Sequence, residues 1–414
     1  MINIGILRET KVPADNRVAL SPKQIILLKK EYPQFNFLVQ SSKERIFSDD
    51  EYLKVGIDVV EDLSDCDYLF GIKEVDADVL IPGKHYFFFG HIAKMQSYNK
   101  ALLQAMIDKN ITFTDYEYLT RNDGKRTCAF GWWAGVVGTY ETLRLYGLKY
   151  KCFELPAPDS SSSVESLKNN LRPTLPVLKN RNVRILVTGK GRVSLGVQDI
   201  LNSIGIRLAP AKKFLEKNET PCYCVVCTED LVSRLDGGHF KRSDFNTSPQ
   251  CFMSNFDRYI SNTDILICSH SWQPGQPVYV SKRTISNSQN QIKVIGDITC
   301  DINGSIKTTV RPSTHLNPFY DIDSDLQEVP LFSDTDNISV MAIDNLPNAL
   351  AREASTYFGE RLCKYVFPAL LNKVNENLVI NRATILEQGR LTEPYNYLNT
   401  FLNKNEQINS SHKI

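Results

Sequence analysis

No stretch of the sequence approaches the about 18 consecutive apolar residues that a membrane-spanning helix requires, so no span is expected. Charge of one sign is also missing. Lys and Arg number 48 against 47 Asp and Glu, a formal net charge of +1, and no basic excess exists to meet a nucleic-acid backbone. The opening residues, MINIGILRETK, lack the basic start and long apolar run of a secretion signal, and a cytoplasmic protein is expected. The ten cysteines are scattered. Cys66, Cys128, Cys152, Cys268 and Cys363 lie in apolar company and read as small buried hydrophobes. Cys222, Cys224 and Cys227 are closer together, but Cys227 faces away from Cys224 on a strand. A closed metal site would need ligands from elsewhere, so a buried strand and no metal are expected.

What is present is an ordinary globular composition, 42% hydrophobic and 23% charged over 414 residues, enough for two or three domains with real cores. Strand and helix alternate from the start. Residues 1–7 are a strand, Ser21 caps a helix opening at Pro22, and Phe35–Val39 is a second strand. A short helix over 49–55, strands at 68–72 and 86–90, a helix over 97–109 and a strand at 111–114 follow. That alternation predicts an α/β domain on a parallel sheet. Lys125–Gly138 reads as a tightly packed helix start, and 156–175 as turn-rich and partly a linker. A second alternating region begins at Val183 and includes 221–227, 263–268, 293–298 and 339–343. The stretch 230–260 is polar and reads as an insertion, Arg352–Leu370 as one long amphipathic helix, and 401–414 as a polar tail.

The organising stretch is VRILVTGKGRVSLGVQDILNSIG at 183–205. An apolar strand runs into Gly189-Lys190-Gly191, and Val193, Val197, Ile200, Leu201 and Ile204 then recur at helical spacing. In that context the glycines let a backbone approach a pyrophosphate, which the helix N-terminus attracts. The third glycine of the usual fingerprint is replaced by Ser194, so the motif alone leaves a nucleotide site and an ordinary tight turn both open.

Functional residues of a parallel sheet lie just past its strand C-termini. Arg17, Lys73 and His91 occupy such places. Singly, each reads as a charged residue in a surface loop. Together they describe a pocket in which Arg17 binds a carboxylate bidentately while Lys73 and His91 exchange protons.

Several ordered blocks carry a likeness: RETKVPADNRVALSP at 8–22, GIKE at 71–74, FFGHIAKMQ at 88–96, AFGWWAGVVG at 129–138, IGDITCDINGSI at 295–306 and IDNLPNALAREASTYFG at 343–359. In these the chain resembles the lysine-forming saccharopine dehydrogenases and the lysine-ketoglutarate reductase half of bifunctional enzymes. That family is related to alanine dehydrogenase and the transhydrogenase nucleotide-binding subunit. The resemblance implies two Rossmann-like, doubly wound parallel-sheet domains facing each other across a cleft. The substrate-side domain would comprise 1–150 plus 350–400, and the dinucleotide-binding domain 175–349. It implies reversible, NAD(P)-dependent interconversion of L-lysine plus 2-oxoglutarate and saccharopine, by imine formation and hydride transfer.

By the same resemblance, Lys73 and His91 are catalytic. Arg17, Lys73, Gln96, Gly296, Asp297 and Ile298 bind substrate. Lys125, Phe130, Gly189, Gly191, Arg192, Val193, Ile343, Asp344, Asn345 and Leu346 bind the cofactor. No acid stands between Gly205 and Lys213, where the ribose-binding Asp or Glu of NAD enzymes usually lies, and Lys212 and Lys213 are nearby. NADP(H) is therefore favoured, with NAD(H) as the alternative. Two other functions compete: an amino-acid dehydrogenase of the alanine dehydrogenase type, and a dinucleotide-binding protein without catalysis. The small-molecule substrates are the expected partners, and the sequence leaves the oligomeric state open.

Overall fold

The computed structural model describes residues 1–216, 221–371 and 378–403. The expected tail therefore lies outside the described residues from 404 on. The chain divides into two compact units, one formed by Met1–Ala129 with the chain from Ala351 on, the other by Phe130–Leu350. Among the described residues no helix is long and apolar enough to cross a membrane.

In chain order the first unit supplies strands β1 (Ile2–Ile6), β2 (Phe35–Gln40), β3 (Asp58–Val60), β4 (Tyr68–Phe70), β5 (His85–Phe88) and β6 (Thr112–Asp115). Its helices here include α1 (Pro22–Glu31) and α2 (Lys100–Asp108). The second unit opens on α3 (Gly131–Tyr150), followed by α4 (Val164–Leu171), β7 (Arg184–Thr188), α5 (Arg192–Ser203), β8 (Arg207–Leu208) and β9 (Cys222–Val226). After β10 (Val232–Arg234), α6 (Arg242–Thr247) and β11 (Phe252–Ser254), it continues through β12 (Ile265–Cys268), β13 (Val294–Asp297), β14 (Phe319–Ile322), β15 (Glu328–Val329) and β16 (Ile338–Met341). The chain then returns through α7 (Ala351–Tyr365) and α8 (Phe367–Leu371) to β17 (Thr384–Glu387) and β18 (Arg390–Leu391).

Each unit holds one eight-stranded sheet, ordered β18-β17-β6-β5-β4-β1-β2-β3 in the first and β15-β14-β16-β13-β12-β7-β9-β8 in the second. The expected parallel core is present from β3 to β6 and from β8 to β16. Both sheets are mixed, however, because β17 and β14 add antiparallel at one edge. These edge strands were not foreseen. They are four residues long, too short for a clear period.

α1 begins as the sequence requires, with Pro22 at its first position and the Gln24 side chain accepting the Ser21 N–H at 2.8 Å. The returning helix α7 is built into the first unit. Ser355 Oγ accepts the Val18 N–H at 3.0 Å, and the Phe358 ring meets Tyr116 edge-on at 5.0 Å. The long helix expected over 352–370 is broken after Tyr365, because Pro368 disfavours helical continuity in the residues before it.

Two expectations are corrected in the second unit. The stretch Gly131–Tyr150 belongs to it and not to the first, because α3 crosses α5 at backbone contact. A Cβ on Gly135 would stand 2.0 Å from the Val193 carbonyl oxygen, and one on Gly196 would stand 2.1 Å from that of Trp132. The stretch 230–260 is also no surface insertion. β10 and β11 pair, and Val232, Phe245, Phe252 and Phe256 join the unit's core, with Phe245 and Phe252 edge to face at 5.3 Å. Its polar residues surround widely spaced aromatics, which concealed the core contribution. The rest of the stretch 156–175 includes helix α4, whose Leu167 and Leu171 are buried.

Because the α3–α5 crossing is backbone on backbone, Gly135→Ala is expected to lower stability by about 2–3 kcal/mol, as overpacking does. Urea unfolding followed by circular dichroism measures this, and a change below roughly 0.5 kcal/mol would contradict such a rigid crossing.

Candidate functional site

In the first unit, pairing between β4 and β5 continues past their ends: Gly71 N–H donates to Phe87 O at 2.9 Å and Phe89 N–H to Ile72 O at 3.0 Å. That register carries Lys73 and His91 out of adjacent strands at one edge of the sheet. His91 is held in the left-handed region at φ 51°, and the preceding Gly90 N–H donates to Asp115 Oδ2 at 3.2 Å. The His91 Nδ1–H donates to Glu74 Oε1 at 2.8 Å, and Lys11 lies 3.2 Å from the other oxygen of Glu74. With Nδ1 committed, Nε2 is the nitrogen through which His91 can exchange a proton with a substrate.

Glu9, leaving β1, accepts the backbone N–H groups of Ile72 at 2.7 Å and Lys73 at 2.8 Å, which ties the lysine's backbone to the neighbouring strand. Arg17 is buried, and its Nε and Nη2 grip both oxygens of Asp15 at 3.0 and 2.6 Å. Glu117, also buried, receives Lys94 at 3.0 Å and Arg126 at 2.6 Å.

The carboxyls differ in their protonation. Burial, then the charge of Asp15, pushes Glu9 up to about 8, against its two backbone donors and Arg17. Burial likewise pushes Asp115 up to about 6. For Glu74 burial also works upward, but the His91 hydrogen bond and the charges of His91 and Lys11 prevail and bring it down to about 2. Carboxyls with displaced pKa values around a Lys and a His are what proton transfer requires. Of these acids, Glu74 was adjacent to Lys73 in sequence and could have been read. Glu9, Asp115 and Glu117 had no local signal, since each joins the cluster only through strand pairing.

Two other expected residues of this unit lie on its surface. Gln96 is exposed and its amide oxygen accepts from Tyr98. Lys125 is exposed in the turn closed by Thr120 and Arg126, with Asp123 at 3.8 Å.

In the second unit, β7 is buried along its whole length and ends at Gly189, whose φ of +92° suits glycine. A Cβ there would stand 2.7 Å from Ser269 O and 2.8 Å from His270 Cα. Those two residues brace the turn: Ser269 Oγ–H donates to Thr188 O at 2.6 Å, and His270 bonds Thr188 Oγ1 and Ser305 Oγ, each at 2.6 Å. Burial lowers His270 to about 4, so it does this as a neutral ring. Gly191 then caps α5, with open space where a Cβ would be and no side chain capping the helix. Ser194, in the third glycine's place, is fully buried.

Beside the turn is a cavity of about 350 Å³ lined by Lys190, Gln198, Leu208, Ala209, Pro210, Ala211 and Val225. A glycine turn into an uncapped helix, next to a largely apolar groove, fits a dinucleotide. Gly189, Gly191, Arg192 and Val193 would hold it, with Phe130 buried at the start of α3. In the Ile343–Leu346 loop, Ile343 and Leu346 are buried while Asp344 is exposed and Asn345 half-buried at φ 67°. The loop is held by Ser313 and by His315, whose Nε2 is 3.3 Å from Asn345 O.

Gly296 and Asp297 depart from their expected role as substrate contacts. A Cβ on Gly296 would stand 1.9 Å from Thr142 Oγ1 of α3, so the glycine permits helix-on-sheet packing. Asp297 is fully buried and its oxygens accept from Thr299 and Thr309, which leaves Ile298 as the partly exposed member of the three. The ground for favouring NADP(H) also changes. The acid-free stretch 205–213 ends β8, which pairs with β9 and does not touch β7, so it is not the strand beside the glycine turn. Cys222 and Cys224 are buried in β9, and among the described residues no cluster of three His, Cys, Asp or Glu could hold a metal.

Comparison with known proteins agrees with this architecture. Residues 5–137 match the alanine dehydrogenase/PNT N-terminal domain and residues 239–394 the alanine dehydrogenase/PNT C-terminal domain. The chain belongs to the saccharopine dehydrogenase, alanine dehydrogenase and transhydrogenase-related family of NAD(P)-binding oxidoreductases. It is 28% identical to the alpha-aminoadipic semialdehyde synthase of Arabidopsis thaliana, over 95% of this chain and 41% of the relative. To the saccharopine dehydrogenase [NAD(+), L-lysine-forming] of Schizosaccharomyces pombe it is 26% identical, over 89% and 92%. The chain thus spans less than half the length of the plant relative. A solved L-alanine dehydrogenase shares the fold, with a TM-score of 0.63 at 14% identity over 95% of this chain and 97% of that one.

The Glu74 carboxylate yields a signed test. Its folded pKa, about 2, lies below the ordinary carboxyl value of 4.5, so its stabilisation is present above 4.5 and is lost as pH falls toward 2. Between about pH 5 and pH 3 the wild-type chain should lose on the order of 2 kcal/mol that Glu74→Gln does not lose. Urea titrations at the two pH values measure the difference, and equal losses in both proteins would refute the bond.

Proposed function

We propose that the chain is a lysine-forming saccharopine dehydrogenase of the lysine-ketoglutarate reductase type. It would interconvert L-lysine plus 2-oxoglutarate and saccharopine reversibly, at the expense of NADH or NADPH. The observation that carries this reading is the convergence of Lys73, His91 and Glu74 past adjacent strand ends, with Arg17 and Asp15 leaving the first strand of the same sheet. The names borne by the full-length fungal relatives support the choice of substrates.

The reaction joins the ε-amine of lysine to the keto carbon of 2-oxoglutarate, and protons must move at each stage. In the proposed division of labour Arg17, oriented by Asp15, meets a substrate carboxylate. His91, through Nε2, protonates the oxygen that leaves as water from the carbinolamine. Glu74 holds the imidazole in that tautomer. Lys73, its backbone tied by Glu9, exchanges a proton with the secondary amine. The dinucleotide supplies the hydride that reduces the imine. A cluster of charged groups at strand ends suits chemistry on carboxylate substrates better than it suits a simple dinucleotide-binding protein.

An alanine dehydrogenase-type activity on free ammonia and a 2-oxo acid is the second reading, supported by the fold. Oxidation of reduced nicotinamide with lysine plus 2-oxoglutarate, against ammonia plus pyruvate, separates them. Turnover with the first pair is expected, and turnover with only the second would sink the proposal. Lys73→Met and His91→Ala should each lower kcat by about 10²–10⁴-fold, the usual contribution of a general acid or base. Arg17→Ala should act mainly on KM for 2-oxoglutarate. Unchanged turnover in His91→Ala would remove it from the chemistry.

A further inference from the structure

The first unit holds a cavity of about 480 Å³ at the end of its sheet away from Lys73 and His91. Tyr68 and His85, which open β4 and β5, lie side by side in its wall, with Thr384 at the start of β17. The same two strands deliver Lys73 and His91 past their other ends, roughly 15 Å of extended chain away. The cavity is therefore separate from the candidate site for proton transfer. Leu370 of α8 and Ile380 of the helix Leu378–Ala383 form its apolar side, and Asn381 and Glu387 stand exposed on its polar side.

A chain of hydrogen bonds fixes the state of the histidine. Thr384 Oγ–H donates to the Ile380 carbonyl at 2.9 Å, so in the 2.9 Å contact between Thr384 and Thr114 the Thr114 hydroxyl is the donor. With that hydrogen used, Thr114 Oγ1 accepts from His85 Nε2–H at 2.8 Å. Burial lowers His85 to about 3, so the ring is neutral and Nδ1 is a bare acceptor. Among the described residues Nδ1 has no hydrogen-bond partner, and it is not sealed from solvent. Glu387 brings a carboxylate to the same cavity, and no described Lys or Arg lines it. Nor does any described residue form an ion pair with Glu387, Arg390 across the hairpin included.

We propose that this cavity is a second small-molecule site, and that it takes an aliphatic amine in its ammonium form. An ammonium has donors and no acceptor, which matches a bare imidazole nitrogen and an unpaired carboxylate. The methylenes of such a ligand have Leu370 and Ile380 to cover them. An anion would meet Glu387 with no described cation to offset it, so phosphates and dicarboxylates are rejected. The cavity volume lies in the usual range for small-molecule sites, about 300–1,000 Å³.

The test is calorimetric titration of the full chain with cadaverine, a five-carbon diamine, and with pentanediol, its uncharged counterpart of the same length. The wild type is expected to bind the diamine roughly tenfold or more tightly than the diol. Glu387→Gln removes the carboxylate and Asn381→Lys adds a competing ammonium, and each should weaken diamine binding by about tenfold. Both positions are exposed, so neither change disturbs packing. Imidazole nitrogen NMR gives a local readout: the Nδ1 resonance of His85, assigned by its loss in His85→Phe, should move as the diamine is added. Equal affinity for diamine and diol, or an Nδ1 resonance that does not move, overturns the proposal. So does diamine binding that both Glu387→Gln and Asn381→Lys leave unchanged, because it would place the amine elsewhere on the chain.

Discussion

Parallel strand pairing is the constraint on which both candidate sites depend. Strands that run in one direction end at one edge of the sheet, and the backbone there leaves its ladder with unpaired groups and freedom to turn. In the first unit the β4–β5 register delivers Lys73 and His91 to that edge together. In the second unit, Gly189, Ser269 and Cys227 leave three neighbouring strands, β7, β12 and β9, in the same way. Antiparallel strands join only at one margin of each sheet, where they cover an edge and leave the strand ends at the centre in place.

The electrostatics of the first unit follow from that gathering. Around these strand ends the charged groups are paired. Arg17 is answered by Asp15, His91 and Lys11 by Glu74, and Lys94 and Arg126 by Glu117. Burial raises the carboxyls Glu9, Glu74, Asp115 and Glu117, and pairing compensates for some more than for others. That is why Glu9, which binds the Lys73 backbone, and Glu74, the next residue along, sit on opposite sides of neutrality. A cluster of this kind is the setting that the proposed proton transfers would use.

Much of this was legible from the residues. The apolar run of β7, the two glycines after it and the helical spacing of α5 locate the glycine turn without any tertiary knowledge, and Ser21-Pro22 places the start of α1 to the residue. What was not legible is what depends on neighbours. The short edge strands β14 and β17 have too few residues to show a period. Gly296 read as a site residue by resemblance, but it is spent on the approach of Thr142. Asp297 read as a substrate contact, but Thr299 and Thr309 turn it inward. The stretch 230–260 read as polar surface because its aromatics are spaced too widely to form a local pattern, and they meet only when β10 and β11 pair.

Sequence alone determined most elements of the two parallel cores, the glycine turn, the α/β class and the identities of Arg17, Lys73 and His91 as residues at strand ends. These are local matters, settled by side-chain period, capping and the stereochemistry of glycine. Only the tertiary structure decided which strands lie side by side. That order brought Glu74 and Glu117 to the histidine's surroundings, assigned α3 to the second unit through a glycine-on-glycine helix crossing, and set β9 rather than β8 against the glycine turn. The physical reason is the same throughout. Hydrogen bonds between strands are indifferent to the sequence distance they span, so adjacency in a sheet is fixed by how whole layers pack and not by the order in which strands are made.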